Sequence, residues 1–132
     1  MEIIVTIYNS SKGDGFYYYT ETINASTFDE LEKNILHVYS QAQQDGVIKI
    51  SEKYEGEWVP TDDDEVMLET SLVIKHPDHE INLGSCVAKS DHISSWTPPG
   101  DYEYESLFGK LDKEPWMCDV SDYFEFYLSK MN

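Results

Sequence analysis

The chain has 132 residues, 40% hydrophobic and 14% aromatic, and its 26 acids against nine bases give a formal net charge of −17. That length and apolar content suit a single domain with a real core. The charge argues against direct nucleic-acid binding, which needs clustered Lys and Arg, and against an anionic membrane surface. All nine bases are lysine; the chain has no arginine.

In chain order, Glu2–Asn9 is rich in Ile, Val and Thr and predicts a strand with Ile3, Val5 and Ile7 on one face. Ser10–Gly15 (SSKGDG) predicts a turn, and Phe16–Ile23 a second strand, closing an antiparallel hairpin. A helix follows over about residues 27–44. Ser26 and Thr27 are its candidate caps, Thr27 and Glu30 have capping-box spacing, and Phe28, Leu31, Ile35, Val38 and Ala42 form one apolar stripe. Gly46 is the natural stop.

Val47–Tyr54 alternates as a strand, Glu55-Gly56 turns it into Glu57–Val59, and Pro60 ends that piece. Thr61–Asp64 predicts a solvated loop and Glu65–Lys75 a long strand. Leu83–Lys89 predicts a short strand, Ser94–Gly100 irregular chain, and Asp101–Phe108 extended chain with Asp101, Glu103 and Glu105 opposite Tyr102 and Tyr104, a helix being the competing reading there. Ser121–Met131 predicts a short C-terminal helix. The order defines an α+β fold, a mainly antiparallel sheet opening with a ββα unit. The opening segment IIVTIYNSSKGDGFYYYTETINASTFDELEKNI resembles the start of HicB-type antitoxins in the order of its elements. Ile23-Asn24-Ala25 stands where those domains carry a Pro-Gly-Cys turn, and the resemblance brings no function with it.

Motifs for chemistry are sparse. Cys86 and Cys118 fit neither a disulfide framework nor a paired-CxxC zinc site. No GxSxG, Walker, HExxH or GxGxxG motif is present, and Asp62-Asp63-Asp64-Glu65 fails the EF-hand spacing. His76, Asp78, His79 and Glu80 (HPDHE) are the densest set of metal-ligand types, with His37 and His92 as outside candidates. The spacing predicts a solvated turn, so neither a metal nor a cofactor is expected. The alternative is a small metal-dependent hydrolase using His76 and His79. No run approaches the roughly 18–20 apolar residues of a membrane span and no signal peptide is evident. The expectation is a reduced, cytoplasmic protein that is not an enzyme.

The charge carries the functional reading. Ser51–Glu69 holds eight acids against Lys53 alone, a local charge of −7, threaded with Tyr54, Trp58, Val59, Val66, Met67 and Leu68. Disordered acidic tracts lack such residues, so this segment is expected to fold. A second acidic run spans Asp101–Glu125. Same-face residues on a strand lie about 6.6 Å apart, comparable with successive phosphates. Rows such as Glu55 with Glu57, or Asp101 with Glu103 and Glu105, therefore predict a nucleic-acid mimic. The expected contact residues are Glu55, Glu57, Trp58, Asp62, Asp63, Asp64, Glu65, Asp101, Tyr102, Glu103, Tyr104 and Glu105, with Tyr54, Trp58, Tyr102 or Tyr104 as anchors. The expected partner is a basic nucleic-acid-binding protein. Viral anti-defence factors acting on CRISPR effectors or restriction enzymes, and immunity proteins of nuclease toxins, belong to this class. The alternative is an acidic regulatory or structural partner that binds through an apolar surface.

Overall fold

A computed structural model describes residues 2–9, 16–75, 80–97, 121–122 and 124–126. It is an α+β fold with seven described strands: β1 (Glu2–Asn9), β2 (Phe16–Asn24), β3 (Ile48–Ser51), β4 (Glu57–Pro60), β5 (Glu69–Lys75), β6 (Glu80–Ala88) and β7 (Ile93–Thr97). The main helix, α1 (Phe28–Gln44), lies between β2 and β3. Five strands form one antiparallel sheet in the order β2-β1-β5-β6-β7, and β3 and β4 form a separate hairpin. Residues 121–122 and 124–126 are helical, as the C-terminal pattern predicts.

Period-two alternation builds the sheet's inner face. Ile3, Val5 and Ile7 of β1 and Thr70, Leu72 and Ile74 of β5 are all buried, with the intervening residues only half so. Removing the Ile, Val and Leu side chains among these from water is worth about 1.5–3 kcal/mol each. Helix α1 supplies the opposing layer through Leu31, Ile35, Val38, Tyr39 and Ala42.

Three contacts fix the start of helix α1, two of them on its orphan N–H groups. The Thr27 hydroxyl accepts from Glu30 N–H at 3.2 Å, and the Glu30 carboxylate accepts from Ser26 N–H at 2.9 Å. This is a capping box displaced by one residue. The third contact comes from far along the chain, where the Glu125 carboxylate accepts from Phe28 N–H at 2.6 Å. Phe124 beside it is buried between Phe28 and Trp96, with ring centroids 6.2 and 6.1 Å away. The helix stops at Asp45, and Gly46 turns the chain at φ +78°, a conformation that costs glycine little.

Several predicted boundaries change. The strand expected over Val47–Tyr54 is only Ile48–Ser51, because the chain turns at once through Glu55 (φ 55°) and Gly56 (φ 86°), with Gly56 N–H donating to the Ser51 carbonyl at 3.0 Å. The strand expected from Glu65 begins at Glu69, since the Asp63 carboxylate accepts from Glu65 N–H at 3.2 Å and holds that stretch in a turn. Pro60 lies inside β4, paired with Ile48 at the hairpin's open end. Strand β6 is longer than expected, and β7 stands where irregular chain is predicted. The predicted turn at 10–15, the HPD-His run at 76–79, Cys118 and the extended segment 101–108 lie outside the described residues.

Candidate functional site: an acidic lobe beside an aromatic groove

The β3–β4 hairpin is fixed to the core through Trp58. That residue is 4% exposed and stacks on Tyr39 of α1 with centroids 5.2 Å apart. Its indole Nε1–H donates to the Lys89 carbonyl at 3.3 Å. The expectation that Trp58 anchors a partner is therefore corrected: its apolar ring is spent inside the molecule. Tyr39 in turn pairs its hydroxyl with that of Thr70 on β5. Burial raises the Tyr39 phenol far above its ordinary value, with the Cys86 sulfur adding to this and the Thr70 hydroxyl partly opposing it. Burial likewise pushes the Cys86 thiol up to about 12, against the Thr70 hydrogen bond. Cys86 is thus an inert core thiol.

Past Pro60 the chain doubles back. Thr61 N–H donates to the Val47 carbonyl at 3.1 Å, and further on the Tyr54 hydroxyl donates to the Glu65 carbonyl at 3.4 Å. The second bond brings the loop after β4 alongside the turn before it. Glu52 and Glu55 on the turn thus share one lobe with Asp62, Asp64 and Glu65 on the loop, and all five are exposed. Asp63 is half-buried in its turn, and Lys53 stands 5.4 Å over the Tyr54 ring. Among the described residues, no lysine makes an ion pair with those five exposed carboxylates.

The predicted row of Glu55 with Glu57 does not form. Glu55 lies in a left-handed turn and off the strand, whereas Glu57 begins β4 with one carboxylate oxygen buried and without a partner among the described residues. The five exposed carboxylates lie on a turn and a loop outside the strands, so no evenly spaced strand ladder carries them. The second expected patch, Asp101, Tyr102, Glu103, Tyr104 and Glu105, lies outside the described residues. Of its acidic run, Glu125 sits at the N-terminus of α1. The lobe adjoins the other end of that 17-residue helix, about 26 Å away at 1.5 Å per residue. Glu125 therefore belongs to the fold and not to the lobe.

A groove of about 420 Å³ opens beside the lobe, lined by Phe16, Tyr17, Tyr18, Gly46, Val47, Thr61 and Asp62. Phe16 and Tyr17 are 53% and 68% exposed. A break in register between β1 and β2 shifts the aromatic run: Tyr17 pairs across from Tyr8, while the Phe16 and Tyr18 rings meet at 5.4 Å. The C-terminal end of α1 comes to this corner with Asp45 as its cap and no basic residue in its last turn. Tyr19 nearby has its phenol raised by desolvation, then by the carboxylates of Asp45 and Glu21. Sequence spacing missed this groove, since its walls come from three segments.

The HPDHE run lies outside the described residues except for its last member. Glu80, its described member, opens β6, and His92 lies past the far end of that strand, roughly 26 Å away at about 3.3 Å per residue. His92 pairs instead with Asp91 at 2.6 Å, and its hydrogen-bonded neighbour holds the Asp91 carboxyl below the usual range. Among the described residues no helix is long and apolar enough to cross a membrane. No protein-family model, curated protein or solved structure matches this chain, so the similarity to HicB-type antitoxins remains one of element order.

Proposed function

We propose that this chain is a small acidic inhibitor that occupies the basic nucleic-acid site of a partner protein. The observation that supports the reading most is the Tyr54–Glu65 hydrogen bond at 3.4 Å. It draws the acids of the turn at 52–55 and of the loop at 62–65 into one exposed, lysine-poor lobe. Clustered carboxylates attract a cationic cleft, speed the encounter and compete there with phosphates. The reading assigns the chain no catalysis, and the partners it fits are CRISPR effectors, restriction enzymes or nuclease toxins, each with a basic groove.

The test uses a fluorescent DNA or RNA bound to candidate nucleases and effectors. Added wild-type protein displaces the nucleic acid at 50 mM salt and much less at about 300 mM, the screening being steep for multiple charge contacts. The variant Glu52→Lys/Glu55→Lys/Asp64→Lys/Glu65→Lys loses displacement while melting no lower than wild type. Equal displacement by that variant refutes the lobe. A second reading is favoured by the exposed apolar side chains Phe16, Ile50 and Met67: a regulatory partner bound through apolar contact, whose affinity does not fall with salt.

A further inference from the structure

The groove beside the lobe has a specific chemistry. One wall is aromatic, with Phe16 about half exposed and in tilted contact with Tyr18. Asp62 lines the same groove. Gly46 and Val47, just past the end of α1, line it too; the helix's C-terminal carbonyls hold partial negative charge, capped by Asp45 and uncompensated by any base in the last turn. Gly46 at this corner has no Cβ, and none placed there would meet another atom within 4 Å, so the floor is open.

A π-face, a carboxylate and a helix C-terminus all favour the same ligand class, a cation. A planar cation uses the ring best, because guanidinium stacks flat and sheds water more readily than an ammonium. Resting on the inhibitor reading above, we infer that this groove receives an arginine side chain of the partner, stacked on Phe16 and paired with Asp62. The chain contains no arginine, so the guanidinium comes from outside. The lobe then supplies attraction at a distance, and the groove supplies the anchoring contact expected of Trp58.

The test titrates N-acetyl-Gly-Arg-Gly-amide into isotope-labelled protein and follows backbone and aromatic NMR shifts. Saturating shifts centred on Phe16, Gly46, Val47, Thr61 and Asp62 are expected, with affinity in the millimolar range. The neutral citrulline peptide is expected to bind at least about tenfold more weakly. Phe16→Ala/Asp62→Asn weakens the arginine peptide by about tenfold, and both side chains are exposed enough to replace without unfolding. The lysine variant at Glu52, Glu55, Asp64 and Glu65 loses nucleic-acid displacement but keeps arginine shifts in the groove. Citrulline shifts equal to those of arginine overturn the inference. So do arginine shifts spread over the lobe and absent from the groove. A groove that takes arginine in a protein that displaces nucleic acid from no partner would instead sink the inhibitor reading alone.

Discussion

Trp58 separates two physical roles that one side chain can play. As a surface anchor, its truncation would cost binding, about 2 kcal/mol or more, and leave stability alone. As a core residue 4% exposed, stacked on Tyr39 at 5.2 Å and donating to the Lys89 carbonyl, it costs stability first. Trp58→Ala removes a buried aromatic ring, worth about 3–5 kcal/mol, a large share of the 5–15 kcal/mol typical of a whole domain. Trp58→Phe is the sharper probe. It keeps a ring against Tyr39 but loses the second ring of the indole and the N–H, leaving the Lys89 carbonyl without that donor. A small cavity plus one unmade hydrogen bond comes to about 2–3 kcal/mol. For a chain of this size that lowers the melting temperature by about 6–12 °C. Thermal and urea unfolding read the stability, and titration with the arginine peptide at 15 °C reads the binding of what remains folded. Affinity is expected to change less than twofold. A melting temperature within 2 °C of wild type, with affinity down tenfold, would refute the placement of Trp58 in the core.

The hydroxyl pair of Tyr39 and Thr70 predicts a non-additive cycle: Tyr39→Phe and Thr70→Val each destabilise by about 1–3 kcal/mol, while the double variant costs clearly less than their sum because no buried hydroxyl is left orphaned. Glu125→Gln weakens the charge-assisted cap on Phe28 N–H, and about 0.5–1.5 kcal/mol is expected to disappear from thermal stability at low salt. Base titrates the core. The folded state holds the Cys86 thiol neutral up to about 12 and Tyr39 neutral well above 10.0, so the unfolded chain ionises first. Stability from Cys86 is complete below pH 9.0 and drains as pH rises toward 12, by about 1.4 kcal/mol per unit; Cys86→Ala flattens that decline in urea midpoints measured between pH 9 and pH 10.

Much of the scaffold was legible because local rules and tertiary packing agreed. Ile3, Val5 and Ile7 alternate and are buried, and Thr27, Glu30 and Gly46 punctuate α1 where the helix begins and ends. Tyr39 was missed because it falls beside the Val38 position of the stripe, and only its pairing with Thr70 makes a buried hydroxyl tolerable. Trp58, Val59 and Pro60 are buried in succession, so β4 carries no period-two signal, and the acids around it made Trp58 look exposed. Strand β7 is Ile-Ser-Ser-Trp-Thr with both serines exposed; its pairing to β6, not its composition, makes it a strand. The acidic cluster was readable as charge, but its shape depended on one tyrosine hydroxyl reaching eleven residues along the chain. The groove joins residues near 16, 46 and 61, and no local pattern encodes that meeting.

The arrangement of charge also separates binding from folding. Strands β1 and β5, at the centre of the sheet, carry one acid each, Glu2 and Glu69, and both are at strand starts. The lobe's acids instead hang from two four-residue strands, held to the core by apolar contacts such as Trp58 against Tyr39. Crowded like charges repel and weaken the segment that carries them, and salt relieves that repulsion over a screening distance of about 8–10 Å. Raising ionic strength from 20 to 300 mM therefore stabilises this protein toward heat while it weakens attachment to a cationic partner. The two responses have opposite signs because they arise from the same carboxylates, once repelling one another and once attracting a neighbour. Calorimetry and displacement assays run over one salt series measure both. Thermal stability and displacement that rise or fall together along that series would mean that the lobe's charge is not what the partner reads.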